Sequence, residues 1–116
     1  MSSLPSSIHS FLSQQDLLLE LMPVAIELFR NDLVSSALDE EIFSTTDIYQ
    51  FRGNVLVIIR KHGGISSEKI MRLLYRVDVS QSKAEATVTT DDPETALAEQ
   101  IIIRELQKAY TRKLYR

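Results

Sequence analysis

Asp92-Pro93-Glu94 narrows the range of possible folds more than any other part of this sequence. An aspartate placed to cap, a proline at the first helical position and an acid in the first turn make a well-formed helix start. Behind it Ala98, Ile101, Ile102, Leu106, Ala109, Tyr110 and Leu114 recur at helical spacing, which amounts to about six turns. Ile103 widens the stripe beyond what one neighbour covers. In a chain of 116 residues, a terminal helix of this length packs across a bundle or against another subunit. One domain is the expectation at this size.

The helical period recurs upstream. From Asp16 to Phe29 the chain is densely apolar, as suits a helix buried over most of its circumference. Pro23 leaves the carbonyl of Leu19 without its donor and biases Met22 away from helical angles. Two segments in near continuity are therefore expected, the second reaching about Phe43. Asp39, Glu40 and Glu41 would oppose the dipole at its end. Ser44, Thr45 and Thr46 offer caps before Asp47, and Ile48, Phe51, Val55, Ile58 or Ile59, and His62 then share a helical register. Gly63 sits where a left-handed cap belongs. Gly53, which costs about 1 kcal/mol inside a helix relative to alanine, is read as a close approach to a neighbouring helix. Ser66 or Ser67 caps a further helix with Ile70, Leu73, Leu74 and Val77 on its core face.

These elements predict an all-α fold: residues 1–116 as a single small helical bundle of four or five helices with a long C-terminal helix. Residues 1–14 are serine-rich around Leu4, Ile8, Phe11 and Leu12. They read as a mobile or loosely docked N-terminal segment, with those four side chains at the spacing of a short docking helix. An α+β alternative stands beside the bundle. Residues 55–59 are rich in β-branched side chains, and Val77-Asp78-Val79 and residues 84–89 alternate. A hairpin around 77–90 would make the chain winged-helix-like.

Chemistry-bearing motifs are scarce. The chain has no cysteine, so it forms no disulfide, thiolate nucleophile or thiolate-ligated metal site. His9 and His62 stand apart from any HExxH spacing, and residues 39–41 lack the alternating oxygen ligands of a calcium loop. No GxSxG elbow occurs, and Gly63-Gly64 lacks the spacing and the Gly-Lys-Ser/Thr ending of a phosphate loop. The expectation is no catalytic residue, no metal ligand and no cofactor. A small enzyme or ligand sensor without a recognisable motif is a third functional reading. The first 15 residues hold no lysine or arginine, unlike a secretory signal. Residues 17–22 and 55–59 fall short of the roughly 20 needed to span a bilayer. A cytoplasmic protein without membrane contact is expected.

Charge supplies the functional hypotheses. Residues 1–50 hold one basic side chain, Arg30, against eight acids, and residues 51–116 hold twelve basic groups against eight acids. The halves carry −7 and +4, an asymmetry that attracts within a fold, across a dimer or toward a charged partner. The leading expectation is a non-enzymatic protein–protein interaction or self-association module, pairing with itself as a homodimer or with another protein. Its interface would be Ile103, Leu106, Tyr110 and Leu114, ringed by Arg104, Lys108 and Arg112. The alternative is a helix-turn-helix-like nucleic-acid-binding protein. Its second helix would present Lys69, Arg72 and Arg76, with Arg60 and Lys61 beside its start.

Overall fold

The sequence's strongest start signal caps its longest helix. In a computed structural model, which describes residues 4–115, six α-helices form and no strand occurs among the described residues. The last of them, α6 (Pro93–Leu114), begins where Asp92 accepts the Thr95 N–H at 3.3 Å and the Thr95 hydroxyl at 2.7 Å. Those two bonds hold the Asp92 carboxyl below its usual pKa. At 1.5 Å per residue α6 is about 33 Å long, against a longest molecular extent of 38 Å. It therefore runs nearly the length of the domain.

The other helices assemble around it. α2 (Gln15–Ser35) and α3 (Ile48–Lys61) both lie antiparallel to α6. Arg52–Glu99 at 2.9 Å and Arg60–Glu94 at 3.2 Å set the direction of α3. Lys108–Asp32 at 2.9 Å and the pair Lys113–Glu20 do so for α2. Phe29 and Phe51 meet edge to face between α2 and α3, with ring centroids 5.9 Å apart. α4 (Glu68–Val77) packs on α2 and α6, α5 (Gln81–Thr87) packs on α6, and α1 (Ile8–Leu12) packs on α2. With neighbours on several sides, α6 buries Ile101, Ile102, Ile103, Leu106 and Ala109 together. That explains a stripe too wide for one partner.

The all-α expectation holds, and the winged alternative does not. Residues 55–59 lie within α3, and the stretch read as a hairpin around 77–90 contains α5. Ser80, within that stretch, is the N-cap of α5 and accepts the Lys83 N–H at 3.3 Å. The expected break at Pro23 is also absent. Pro23 lies on the exposed face of one continuous helix. The carbonyl it frees belongs to half-exposed Leu19, where water replaces the missing donor. Nor does α2 reach Phe43. It stops at Ser35, and Ala37 takes a left-handed conformation with φ of 59°. The Leu38 N–H bonds the Leu33 carbonyl at 2.9 Å and the Ala37 N–H bonds that of Val34 at 3.0 Å, a Schellman ending sealed by buried Leu33 and Leu38. Asp39, Glu40 and Glu41 thus escape the end of the dipole.

Gly53 does not mediate a close approach: a Cβ there would meet nothing within 4 Å. Gly63 does end α3, with φ of 103°. At the other end of the chain, residues 4–14 are docked. Phe11 is fully buried, Pro5 is buried, and Gln107 Nε2 donates to the Pro5 carbonyl at 3.0 Å. Residues 1–3 of the N-terminal segment lie outside the described residues. None of the described helices is long and apolar enough to cross a membrane.

Candidate functional site

The interface expected on α6 is not assembled as a surface. Leu106 is 0% and Ile103 5% exposed, both within the chain's own core, so neither is available to a partner. Tyr110 is half-buried against that core. Arg104 is turned to Asp78, donating from Nε to the carbonyl at 3.1 Å and from Nη2 to the carboxylate at 2.9 Å. Lys108 is drawn inward between Asp32 and Glu105. Only Arg112 and Leu114 remain exposed. The helices packed around α6 have claimed the positions that made the stripe look like an interface.

The five residues named for nucleic-acid binding divide into two groups. Arg60 pairs with Glu94 at 3.2 Å and Lys61 with Glu40 at 2.9 Å. Lys69, Arg72 and Arg76 are exposed on α4 and enter no salt bridge among the described residues. At 100° per residue they form one arc of that helix. Ile70, Leu73, Leu74 and Val77 form the buried arc. Between the two arcs lie Met71 and Tyr75, which are 59% and 81% exposed.

That intermediate arc lines a groove which sequence reasoning did not identify. Its volume is about 450 Å³, and Met71, Leu74 and Tyr75 on α4 face Val79, Ala84 and Val88 across it. Val88 follows Ala84 by one turn and is 58% exposed. The local sequence explains the geometry. Asp78 closes α4 in a left-handed conformation with φ of 74°, and the Val79 N–H returns to the Leu74 carbonyl at 3.0 Å. Two residues later Ser80 caps α5, so the two helices are held at a fixed corner. Arg104 grips that corner through Asp78. On the far wall Gln81 donates to Glu85 at 2.9 Å, engaging the one acid that faces the groove. Glu68, the acid of α4, lies in the first turn, where it suits the dipole. The sequence did carry the signal. Met71 and Tyr75 extend the apolar arc of α4 past the width its core contacts use.

Two titratable clusters have structural work. Glu40 meets His62 Nε2 at 3.0 Å and Lys61 Nζ at 2.9 Å. Hydrogen bonds from Lys61 and then His62 hold its carboxyl below the usual range, and the contacts tie the α2–α3 connection to the end of α3. The second cluster is buried. Glu105 is 0% exposed, with Lys108 Nζ at 2.7 Å from Oε1. That approach lacks hydrogen-bond alignment, and neither carboxylate oxygen has a directed partner. Burial first, and the adjacent Asp32 carboxylate second, push Glu105 up to about 9 against the pull of Lys108. A protonated Glu105 with Asp32 and Lys108 makes a neutral set, which is the form a protein interior accommodates. Ile101, Glu105 and Ala109 fall four apart, so the acid's place on the buried face was already written in the spacing.

Among the described residues no group of three or more His, Asp or Glu side chains is placed to hold a metal ion. No protein-family model matches the chain, and neither a curated protein nor a solved structure does.

Proposed function

We propose that the chain is a protein–protein interaction module whose docking surface is the groove between α4 and α5. The observation that carries this reading is an exposed apolar groove, with Lys69, Arg72 and Arg76 on the neighbouring arc of α4 and in no salt bridge among the described residues. Large exposed side chains gathered in one groove, beside charges without internal partners, describe the centre and rim of an interface. The complementary surface presents an apolar knob ringed by acids, on a second copy of this chain or on another protein. The role is binding rather than catalysis, since both titratable clusters already hold elements of the fold together. The setting we assign is the cytoplasm.

A photoreactive phenylalanine in place of Tyr75 tests this in the producing cell, with the same residue in place of exposed Thr111 as control. The expected result is a protein adduct from position 75 that is absent from position 111. Arg72→Glu with Arg76→Glu should cut its yield by roughly tenfold, the effect of about 1.4 kcal/mol of lost complementarity. No adduct, or equal adducts from both positions, overturns the reading. An adduct to nucleic acid, together with duplex binding at low salt that fails when those arginines are reversed, would replace it with the helix-turn-helix alternative.

A further inference from the structure

We infer that the occupant of the groove is a second copy of this chain, docking through the exposed face formed by Val34 and Phe43. This rests on reading the groove as a docking surface and identifies what fills it. Phe43 is 74% and Val34 78% exposed, and the two line one shallow cleft with Glu41. The cleft is held in shape. Arg30 donates from Nε and Nη2 to the Ile42 carbonyl at 3.1 and 2.7 Å, while Ile42 itself is buried. The residue before Phe43 is thereby pinned, and the ring projects into solvent.

Charge selects this face as the complement. Asp39 and Glu41 are exposed and, among the described residues, enter no salt bridge, whereas Glu40 between them is engaged by Lys61 and His62. Arg30, the one cation in the cleft, is occupied by Glu27 and the Ile42 carbonyl. One face thus offers an aromatic knob with acids in no salt bridge among the described residues, and the groove offers a thioether and a tyrosine, with the α4 cations on the adjacent arc. Phe43 against Met71 and Tyr75 is a favourable aromatic and sulfur contact, with Asp39 and Glu41 directed at Arg72 and Arg76. The contact runs head to tail, one copy's knob in the other's groove, so a dimer keeps one free groove on one copy and one free knob on the other. Association is open-ended, and a contact this small is weak and salt-sensitive.

Sedimentation velocity on the full chain, from about 1 μM to about 1 mM, tests it. Unmodified protein should grow past dimer as concentration rises and revert toward monomer in high salt. Phe43→Glu and Tyr75→Glu, both at exposed positions, should each be monomeric with unchanged helical circular dichroism. Mixed in equal amounts, they should form a dimer and nothing larger, since one retains its groove and the other its knob. A monomer at every concentration, or a mixture that stays monomeric, overturns the inference. The groove reading fails separately: a foreign protein captured from position 75 by a monomeric chain would preserve the groove and remove this occupant.

Discussion

Glu105 shows how a single residue sets conditions on the whole domain. Its carboxyl is raised from 4.5 to about 9 by burial and by Asp32. Between those values the folded chain keeps a proton that the unfolded chain has released, so rising pH favours unfolding. Stability contributed by this group is fully present below pH 4.5 and is lost as pH rises toward about 9, with a limiting slope of about 1.4 kcal/mol per pH unit. Glu105→Gln mimics the protonated form, its amide placed to donate to Asp32 while its carbonyl accepts from Lys108. Urea unfolding of the two proteins across that window should show the variant's stability losing this slope and exceeding the parent by at least about 1 kcal/mol at pH 8. Parallel profiles would show that Glu105 keeps an ordinary carboxyl. Glu40 acts with the opposite sign: its lowered pKa supports the fold above the ordinary carboxylate range and is lost as acid protonates it.

At the scale of the element, helix ends were decided by short signals and helix interiors by their surroundings. Asp92, Asp47, Ser67 and Ser80 each accept a backbone N–H of the helix they start; Asp92 and Ser67 were legible from residue type, while Asp47 took the cap expected of Ser44, Thr45 or Thr46. The fourth, Ser80, was masked by alternating neighbours that suit a strand equally well. Pro23 shows the converse, since its effect depends on whether the freed carbonyl reaches water, which only packing decides. Gly53 was read as a contact because glycine in a helix needs a reason, and its neighbourhood supplies none. Gly53→Ala should therefore stabilise the protein by about 0.5–1 kcal/mol through helix propensity and a less flexible unfolded chain. A midpoint that falls in chemical denaturation would mean that another atom needs the space.

For the molecule as a whole, part of the charge difference between the two halves is used inside the fold. Glu20, Asp32 and Glu40 from the first half meet Lys113, Lys108 and Lys61 from the second, fixing α2 against α6 and the α2–α3 connection against α3. The acids at 39 and 41 and the cations of α4 are among the exposed charges that enter no salt bridge among the described residues, and the proposed assembly draws on them. The N-terminal segment belongs to the same cooperative unit. Phe11 is fully buried and Gln107 reaches Pro5 across the core. Phe11→Ala should cost about 3–5 kcal/mol, the range for truncating a buried phenylalanine, in a single unfolding transition followed by circular dichroism and by fluorescence. A loss under about 1 kcal/mol would place α1 outside the core.

By itself the sequence determined the long last helix and favoured an all-α bundle, because apolar period and capping are local properties, while the winged alternative at 77–90 was removed only by the tertiary structure. It also placed Lys69, Arg72 and Arg76 on one arc of α4, whereas the burial of Glu105 came from the structure. It did not determine which apolar residues a partner can reach. Ile103 and Leu106 have the same composition and spacing as an interface, and only the placement of several helices around α6 buries them. Met71 and Tyr75 widen the apolar arc of α4 in the sequence, but they line a groove with Val88 only once the corner at Asp78 and Ser80 turns α5 beside α4. Periodicity reports the face of one helix, whereas exposure depends on how many neighbours that face acquires. Long-range packing alone supplies that number.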